Sequence, residues 1–328
     1  MSNRLVVRKN SQWLDSKIPF ITVVTPVFNR RQTIVRTMES VKNQTFKDIE
    51  YIIVDDGSTE VVDDLVNTFM ESVDFPVMFV KKTNGGVHTA RNIGHQYARG
   101  KLTICIDSDD ELLPNACETF YKVWFSIPEN KRMNYWQIKA QCVDQNGKLV
   151  SALFPDNINE ISNEKARKNF SMARGEQLSC RVTKVMRENQ FPEIDGVTFV
   201  SENIRWIPLE REYSSWGIND VLRIYHTEGN DHLSKWQKRK NEQEFKNLIW
   251  NTAYMLNGSK TFDCGLKWRI KNVCKYCMAS YMLSKYSAKD HQENVIFVNN
   301  NALVGVGNII LKMLLYLPSI VLSKKLYT

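Results

Sequence analysis

The chain has no disulfide framework. Its seven cysteines are odd in number and scattered, which excludes a small stapled scaffold and implies a reducing compartment. Cys274 and Cys277 form a C-x-x-C, but no second pair completes a zinc site, so the pair reads as coincidence. The opening "MSNRLVVRKNSQWLDSK" carries charges without an apolar run, so no signal peptide is expected. Internal repeats and low-complexity tracts are also missing, which excludes solenoids and arrays. Acids are scarce towards the end: residues 229–328 hold 15 Lys and Arg against 6 Asp and Glu, a balance of +9. The first 228 residues hold 29 against 30 and carry −1. A nucleic-acid-binding face on that first part is therefore not expected, and an anionic partner belongs to the C-terminal part.

What remains is a globular composition: 328 residues, 43% hydrophobic and 24% charged, enough for one large domain or two ordinary ones. Up to residue 110 the pattern alternates strand and helix. "FITVVTPVF" (20–28), "IEYIIVDDGS" (49–58), "VMFVKK" (77–82) and "LTICID" (102–107) read as strands. Helical spacing separates them: Ile34, Val35, Met38 and Val41, then roughly 60–72 and 88–99. Such alternation predicts an α/β fold with a mostly parallel sheet. Asn29, Asp55, Asp56, Gly85, Gly86 and Asp107 to Asp110 all fall just after a strand, the edge where open α/β sheets bind ligands. After residue 130, "YWQIKAQCVDQNGKLVSALF" predicts an antiparallel hairpin about Asn146-Gly147.

The densest signal is "IDSDDELLP", an apolar strand running into four carboxylates. Clustered anions repel one another unless a cation compensates. A D-x-D on a strand end suits Mg²⁺ or Mn²⁺ shared with substrate phosphates. The same acids could instead meet the dipole of the following helix, and the D-x-D alone leaves both readings open.

Three ordered motifs, "VVTPVFNRRQTIVRTMESVKNQTFKDIEYIIVDDGSTE", "NGGVHTARNIG" and "IDSDDELLP", resemble the family 2 glycosyltransferases, whose nucleotide-sugar-binding fold is called GT-A. The resemblance covers residues 18 to 125 and, more weakly, 190 to 234. It implies a GT-A, Rossmann-like, mostly parallel sheet flanked by helices, with an added antiparallel hairpin and a helical C-terminal tail. It also implies an N-terminal extension (1–18), a nucleotide-sugar-binding half (19–125), an acceptor-binding half (126–234) and a basic helical region (235–328).

Carried over residue by residue, the resemblance places Pro26 and Asn29 on the loop after the first strand, beside the nucleotide base. Asp56 would bond the uracil ring, and Asp55 would shape its loop. Gly85 and Gly86 would admit close backbone approach, and Arg91 would lie near the nucleotide. Asp109 would hold the metal, with Asp107 or Asp110 on ribose or metal-bound water, and His226 is a further metal or diphosphate candidate. Where many members carry Glu-Asp, this chain has Glu202-Asn203. Glu202 is then the expected base of an inverting transfer, with Glu193 and Asp195 as rivals. The implied enzyme moves a sugar from a UDP donor, with Mn²⁺ or Mg²⁺, to a saccharide or lipid-linked acceptor in surface polysaccharide or lipopolysaccharide synthesis. The alternatives are a nucleotide-sugar-binding scaffold that has lost its base and a sugar nucleotidyltransferase. The second expects a Gly-rich phosphate loop where "PVFNRR" stands.

The segment 302–322, "ALVGVGNIILKMLLYLPSIVL", is long enough to span a bilayer. Its polar or small positions, Asn301, Gly305, Asn308, Lys312, Tyr316 and Ser319, instead trace one stripe along a helix. Lys312 would sit near the bilayer centre, and Pro318 would break the last turn. An in-plane amphipathic helix is expected, anchored by Lys324 and Lys325, giving a cytoplasmic protein peripherally bound to the inner face of the cell membrane.

Overall fold

The computed structural model describes residues 5–155, 160–161, 175–227, 241–258, 262, 265–285, 293–294, 298, 302–304 and 306–327. The end of the weaker 190–234 resemblance, from residue 228, and the basic residues up to 240 lie outside them. Two compact units emerge, Met1–Phe191 with Leu209–Glu228, and Pro192–Pro208 with Gly229–Thr328.

The first unit is built on a 10-stranded sheet. The strands are β1 (Val6–Lys9), β2 (Ile21–Val27), β3 (Ile49–Asp55), β4 (Val77–Lys81), β5 (Leu102–Cys105), β6 (Glu111–Leu112), β7 (Tyr135–Asp144), β8 (Glu160–Ile161), β9 (Gln177–Val182) and β10 (Ser214–Tyr225). The order is β1-β4-β3-β2-β5-β9-β7-β10-β6, with β8 also on β10. Strands β4, β3, β2 and β5 run parallel. Their β-branched runs are buried on both faces, as a sheet covered by helices on each side requires. Side chains alternate between two clusters. Ile21, Val23, Tyr51, Ile53 and Phe79 pack with helices α1 (Ile34–Lys42), α2 (Asp63–Glu71) and α4 (Ala116–Ser126). Val24, Ile52, Val54, Met78 and Val80 pack with α3 (Val87–Tyr97) and Trp13. The short helices α5 (Glu129–Arg132) and α6 (Thr183–Glu188) complete the unit's own elements. The expected α/β fold is thus the fold observed.

Two details add to the expected fold and one corrects it. Residues 6–9, within the expected N-terminal extension, form β1, which closes the β4 edge antiparallel. The turn at Gly147 is present, with φ 80° and Asp144 Oδ1 accepting from the Asn146 and Lys148 amides at 2.9 Å each. The second arm returns antiparallel through Asp144 N to Lys148 O at 2.8 Å, Val150 N to Cys142 O at 3.1 Å and the bridge Val143–Leu149, and β9 adds a longer antiparallel partner for β7. Pro26 lies within β2, not on the loop after it. A proline survives there because Val24 O accepts from Ile106 N. Position 26 faces the same side, beyond the end of β5, where no ladder bond is lost.

The second unit holds helix α8 (Glu242–Asn257), started by Asn241 Oδ1 accepting from the Glu244 amide, and α9 (Leu266–Leu283) and α10 (Val306–Tyr327). Phe245, Ile249, Ala253 and Leu256 of α8 pack with Val273, Tyr276 and Cys277 of α9. Cys277 is buried there as an unpaired thiol. Helix α7 (Asn203–Glu212) begins in this unit and carries an internal Pro208. Among the described residues no helix is long and apolar enough to cross a membrane.

Candidate active site

The chain proceeds from β2 outward to β3 and β4, then returns to the other side of β2 to lay down β5. This reversal opens a crevice at the carboxyl ends of β2 and β5, where open α/β sheets bind ligands. Asn29 and the acids 107–111 stand on its two sides, and the β3 acids lie next to Asn29.

On the β2–β3 side, Asn29 takes φ 50°, a conformation that asparagine tolerates better than bulkier residues. Its Oδ1 accepts from the Thr59 amide at 2.8 Å and the Glu60 amide at 3.3 Å, and its own amide donates to Ser58 Oγ at 3.0 Å. Asp55, fully buried, accepts from the Ser58 amide at 2.9 Å. The intervening Gly57 has φ +75°, and a Cβ there would stand 2.7 Å from Asn84 N. Glycine is required at that contact.

Asp56 is also buried. Its Oδ1 accepts from Lys82 Nζ at 2.6 Å and the Gly85 amide at 3.0 Å, and its Oδ2 from the Gly86 amide at 2.8 Å. Gly86, at φ 94°, caps α3. This carboxylate therefore staples the "TNGG" loop and the start of α3 to the end of β3. Lys82 also donates to Thr83 O at 2.7 Å and Thr89 Oγ1 at 2.8 Å. Nothing in the sequence pattern singles Lys82 out beyond its place at the end of an apolar run.

On the β5 side, Arg91 donates to Asp107 Oδ1 at 2.8 Å. Loss of solvent raises the Asp107 carboxyl, but the Arg91, Arg223 and Arg181 guanidiniums outweigh it and hold the group below the usual carboxylate range. The side chains of Asp107 and Asp109 remain 44% and 22% exposed. Arg30 Nε lies 3.7 Å from Asp109 Oδ2. Arg36 donates to the Asp109 carbonyl. Asp110 points inward. Its Oδ1 accepts from the His226 amide at 2.9 Å, and its Oδ2 lies 3.0 Å from the buried Arg223. Burial pushes Asp110 up to about 7 against the pull of Arg223, with Asp107 and Asp109 adding to the rise. Thr37 Oγ1 donates to the Asp110 carbonyl at 2.8 Å, which fastens the loop to α1.

His226 follows β10, and its Nε2 lies 2.7 Å from Glu111 Oε1. His226, Asp110 and Glu111 thus meet in one cluster, whereas Asp107 and Asp109 lie against Arg91 and Arg30 and stay partly open to solvent. Among the described residues no three His, Cys, Asp or Glu side chains form a cage that could hold a metal ion. Mg²⁺ held by one or two carboxylates and substrate phosphates needs no such cage, and the partly exposed carboxylates of Asp107 and Asp109 suit that use. Glu202 belongs to the second unit, where its Oε2 accepts from Trp206 Nε1 at 3.1 Å. Asn92 Nδ2 donates to Phe191 O at 2.8 Å, and the Phe191 amide returns a bond to Asn92 Oδ1 at 2.9 Å. This pair pins the residue just before the segment that carries Glu193, Asp195 and Glu202.

A mixed sheet whose central parallel strands end on partly exposed acids at the switch point has the layout of a ligand-binding α/β domain. Residues 22–129 match the family model described as Glycosyl transferase family 2. The motif resemblance therefore holds, and the chain carries a family 2 glycosyltransferase domain of GT-A type. The GalNAc(5)-diNAcBac-PP-undecaprenol beta-1,3-glucosyltransferase of Campylobacter jejuni is 24% identical over 83% of this chain and 84% of its own length. Two solved structures share the fold. TarS 1-349 from S. aureus, in complex with UDP-GlcNAc, has a TM-score of 0.56 at 14% identity, covering 93% of this chain and 92% of that one. The mannosyltransferase PcManGT from Pyrobaculum calidifontis, with GDP-Man and Mn2+, has a TM-score of 0.53 at 15% identity, covering 94% and 88%.

Proposed function

We propose that this glycosyltransferase moves a sugar from a UDP donor to a hydroxyl of a saccharide or lipid-linked acceptor in bacterial surface-polysaccharide synthesis. Transfer occurs with inversion, at the cytoplasmic face of a membrane. One observation carries the reading: Asp107 and Asp109 remain partly open to solvent at the switch point of the sheet, although neighbouring Asp110 is buried against Arg223. The UDP-GlcNAc and GDP-Man complexes of the two structural relatives and the lipid-linked substrate named for the Campylobacter enzyme support the same direction.

In this reading Asp109, helped by Asp107, holds Mn²⁺ or Mg²⁺, which supplies charge neutralisation for a departing nucleoside diphosphate. Asn29, Pro26 and the loop shaped by Asp55 and Asp56 border the base, with Asp56 acting through the Gly86 backbone it holds. Arg91, braced by Asp107, offers a guanidinium to phosphate oxygens. Glu202, oriented by Trp206, takes the proton of the acceptor hydroxyl as that oxygen attacks the anomeric carbon and the bond to the diphosphate oxygen breaks. His226 acts from behind, through Glu111.

The test is binding and turnover of a panel of nucleotide sugars by the wild type, Asp109→Ala and Glu202→Gln. Metal-dependent binding of one donor is expected. Asp109→Ala should abolish it, and Glu202→Gln should keep binding while losing turnover. If no donor binds with either metal, the reading fails. If Glu202→Gln turns over normally, the base lies elsewhere.

A further inference from the structure

Helix α10 is inside out. The polar stripe that its spacing predicts is present, but most of it is turned into its own bundle. Asn308, only 4% exposed, donates through Nδ2 to Leu256 O at 2.9 Å and Val304 O at 3.0 Å. Ser319, 2% exposed, donates to Leu315 O at 2.6 Å. Lys312 Nζ lies 5.3 Å from the centre of the Tyr276 ring, a cation–π contact with α9. Leu311 and Leu315 pack alongside these groups against the α8–α9 core. Only Tyr316 of the described stripe looks outward.

The outer face carries Ile309, Ile310, Met313, Leu314, Leu317 and Val321, with Met313, Leu317 and Leu314 between 68% and 75% exposed. Their steps of three and four residues place them on one side of the helix. A helix on a soluble domain has the opposite arrangement, apolar inward and polar outward. A contiguous apolar face of this kind marks a binding surface. Charge then decides the occupant. Helices α9 and α10 together hold seven Lys and Arg and no Asp or Glu. A second copy seated on this face would bring like charges together, whereas an anionic lipid surface would neutralise them.

We propose that α10 lies in the plane of an anionic bilayer, with Met313, Leu314 and Leu317 at the crest among the acyl chains. Asn308 stays bonded to Leu256 of α8 and Lys312 stays over Tyr276 of α9, so these helices act as a cradle above the membrane. The proposal rests on the membrane-face reading given above and names the surface and the lipid chemistry that realise it.

Co-flotation of the full chain with vesicles of phosphatidylcholine containing roughly a third phosphatidylglycerol tests it. The wild type should float with these vesicles, and much less with phosphatidylcholine alone or in high salt. Leu314→Glu with Leu317→Glu should weaken partition by at least about tenfold, with the circular dichroism spectrum and soluble donor hydrolysis unchanged. Met313→Glu, at the most exposed of these side chains, serves as a second variant should the double one fold poorly. Failure of the wild type to float, or flotation equal in the folded variants, overturns the proposal. So does light scattering that shows a wild-type dimer lost in the variants, since the face would then belong to a second copy. Loss of vesicle binding in the variants from a chain that hydrolyses no donor would leave the surface assignment standing and sink the enzyme reading alone.

Discussion

Lys82 and Asp56 form an ion pair with both side chains almost wholly shielded, at 3% and 2% exposure. Taking both charges out of water is expensive, and the pair holds because Gly85, Gly86 and Thr89 complete its hydrogen bonds. Lys82→Met should therefore lower stability by about 3–5 kcal/mol in urea unfolding, since it leaves a buried carboxylate without its cation. A loss below about 1 kcal/mol would mean that water reaches the pair. His88, on the first turn of α3, is buried with neither ring nitrogen hydrogen-bonded and its ring 6.4 Å from that of Phe191. Burial, helped by the charges of Lys82 and Arg91, lowers its pKa to about 4. The folded chain thus resists a proton that the unfolded chain accepts at about 6.5. Stability from this group should be complete above pH about 6.5 and should fall by about 3 kcal/mol as the pH drops towards 4. His88→Gln should flatten that part of the profile of unfolding free energy against pH.

At the scale of elements, α3 sits close on β2 because position 94 has no side chain. A Cβ on Gly94 would come within 2.3 Å of Val24 Cγ1. Gly94→Ala should cost about 1–3 kcal/mol by overpacking. Combined with Val24→Ala it should lose less than the two single changes together, and a double-mutant cycle by thermal unfolding measures the coupling. Strands β2 to β5 were legible in the sequence because their apolar runs are continuous and end on motif residues. The acids Asp107 and Asp109 were legible for the same reason: they adjoin a strand in the chain. Arg223 and Lys82 were not, because a basic residue on a strand or just past its end says nothing about which acid it will meet. Spacing likewise gave the polar stripe of α10 but not its direction. Periodicity defines faces, and only the neighbouring helices decide which one is covered. β1 escaped notice because a four-residue edge strand with mixed polarity carries almost no periodic signal.

For the whole molecule, the first unit is discontinuous: it needs Leu209–Glu228 as well as everything up to Phe191. Strand β10 pairs with β7 along most of its length and with β6 at its end, and it brings Arg223 to Asp110. A chain ending at residue 191 should therefore lack a cooperative thermal transition by circular dichroism, although it contains the whole segment 22–129 that matches the family model. A sharp transition in that fragment would show that the parallel half is self-sufficient. The pairing of β6 with β10 also sets an order on the ribosome. Asp110 and the His226 amide are 116 residues apart, so at about 5–20 residues per second the acid loop waits on the order of ten seconds for its partners. Until then Asp110 has no buried cation beside it and must stay in water. During synthesis the loop that would receive the donor is among the last parts of its unit to set, and a nascent chain arrested before residue 223 would carry its motif acids unfastened.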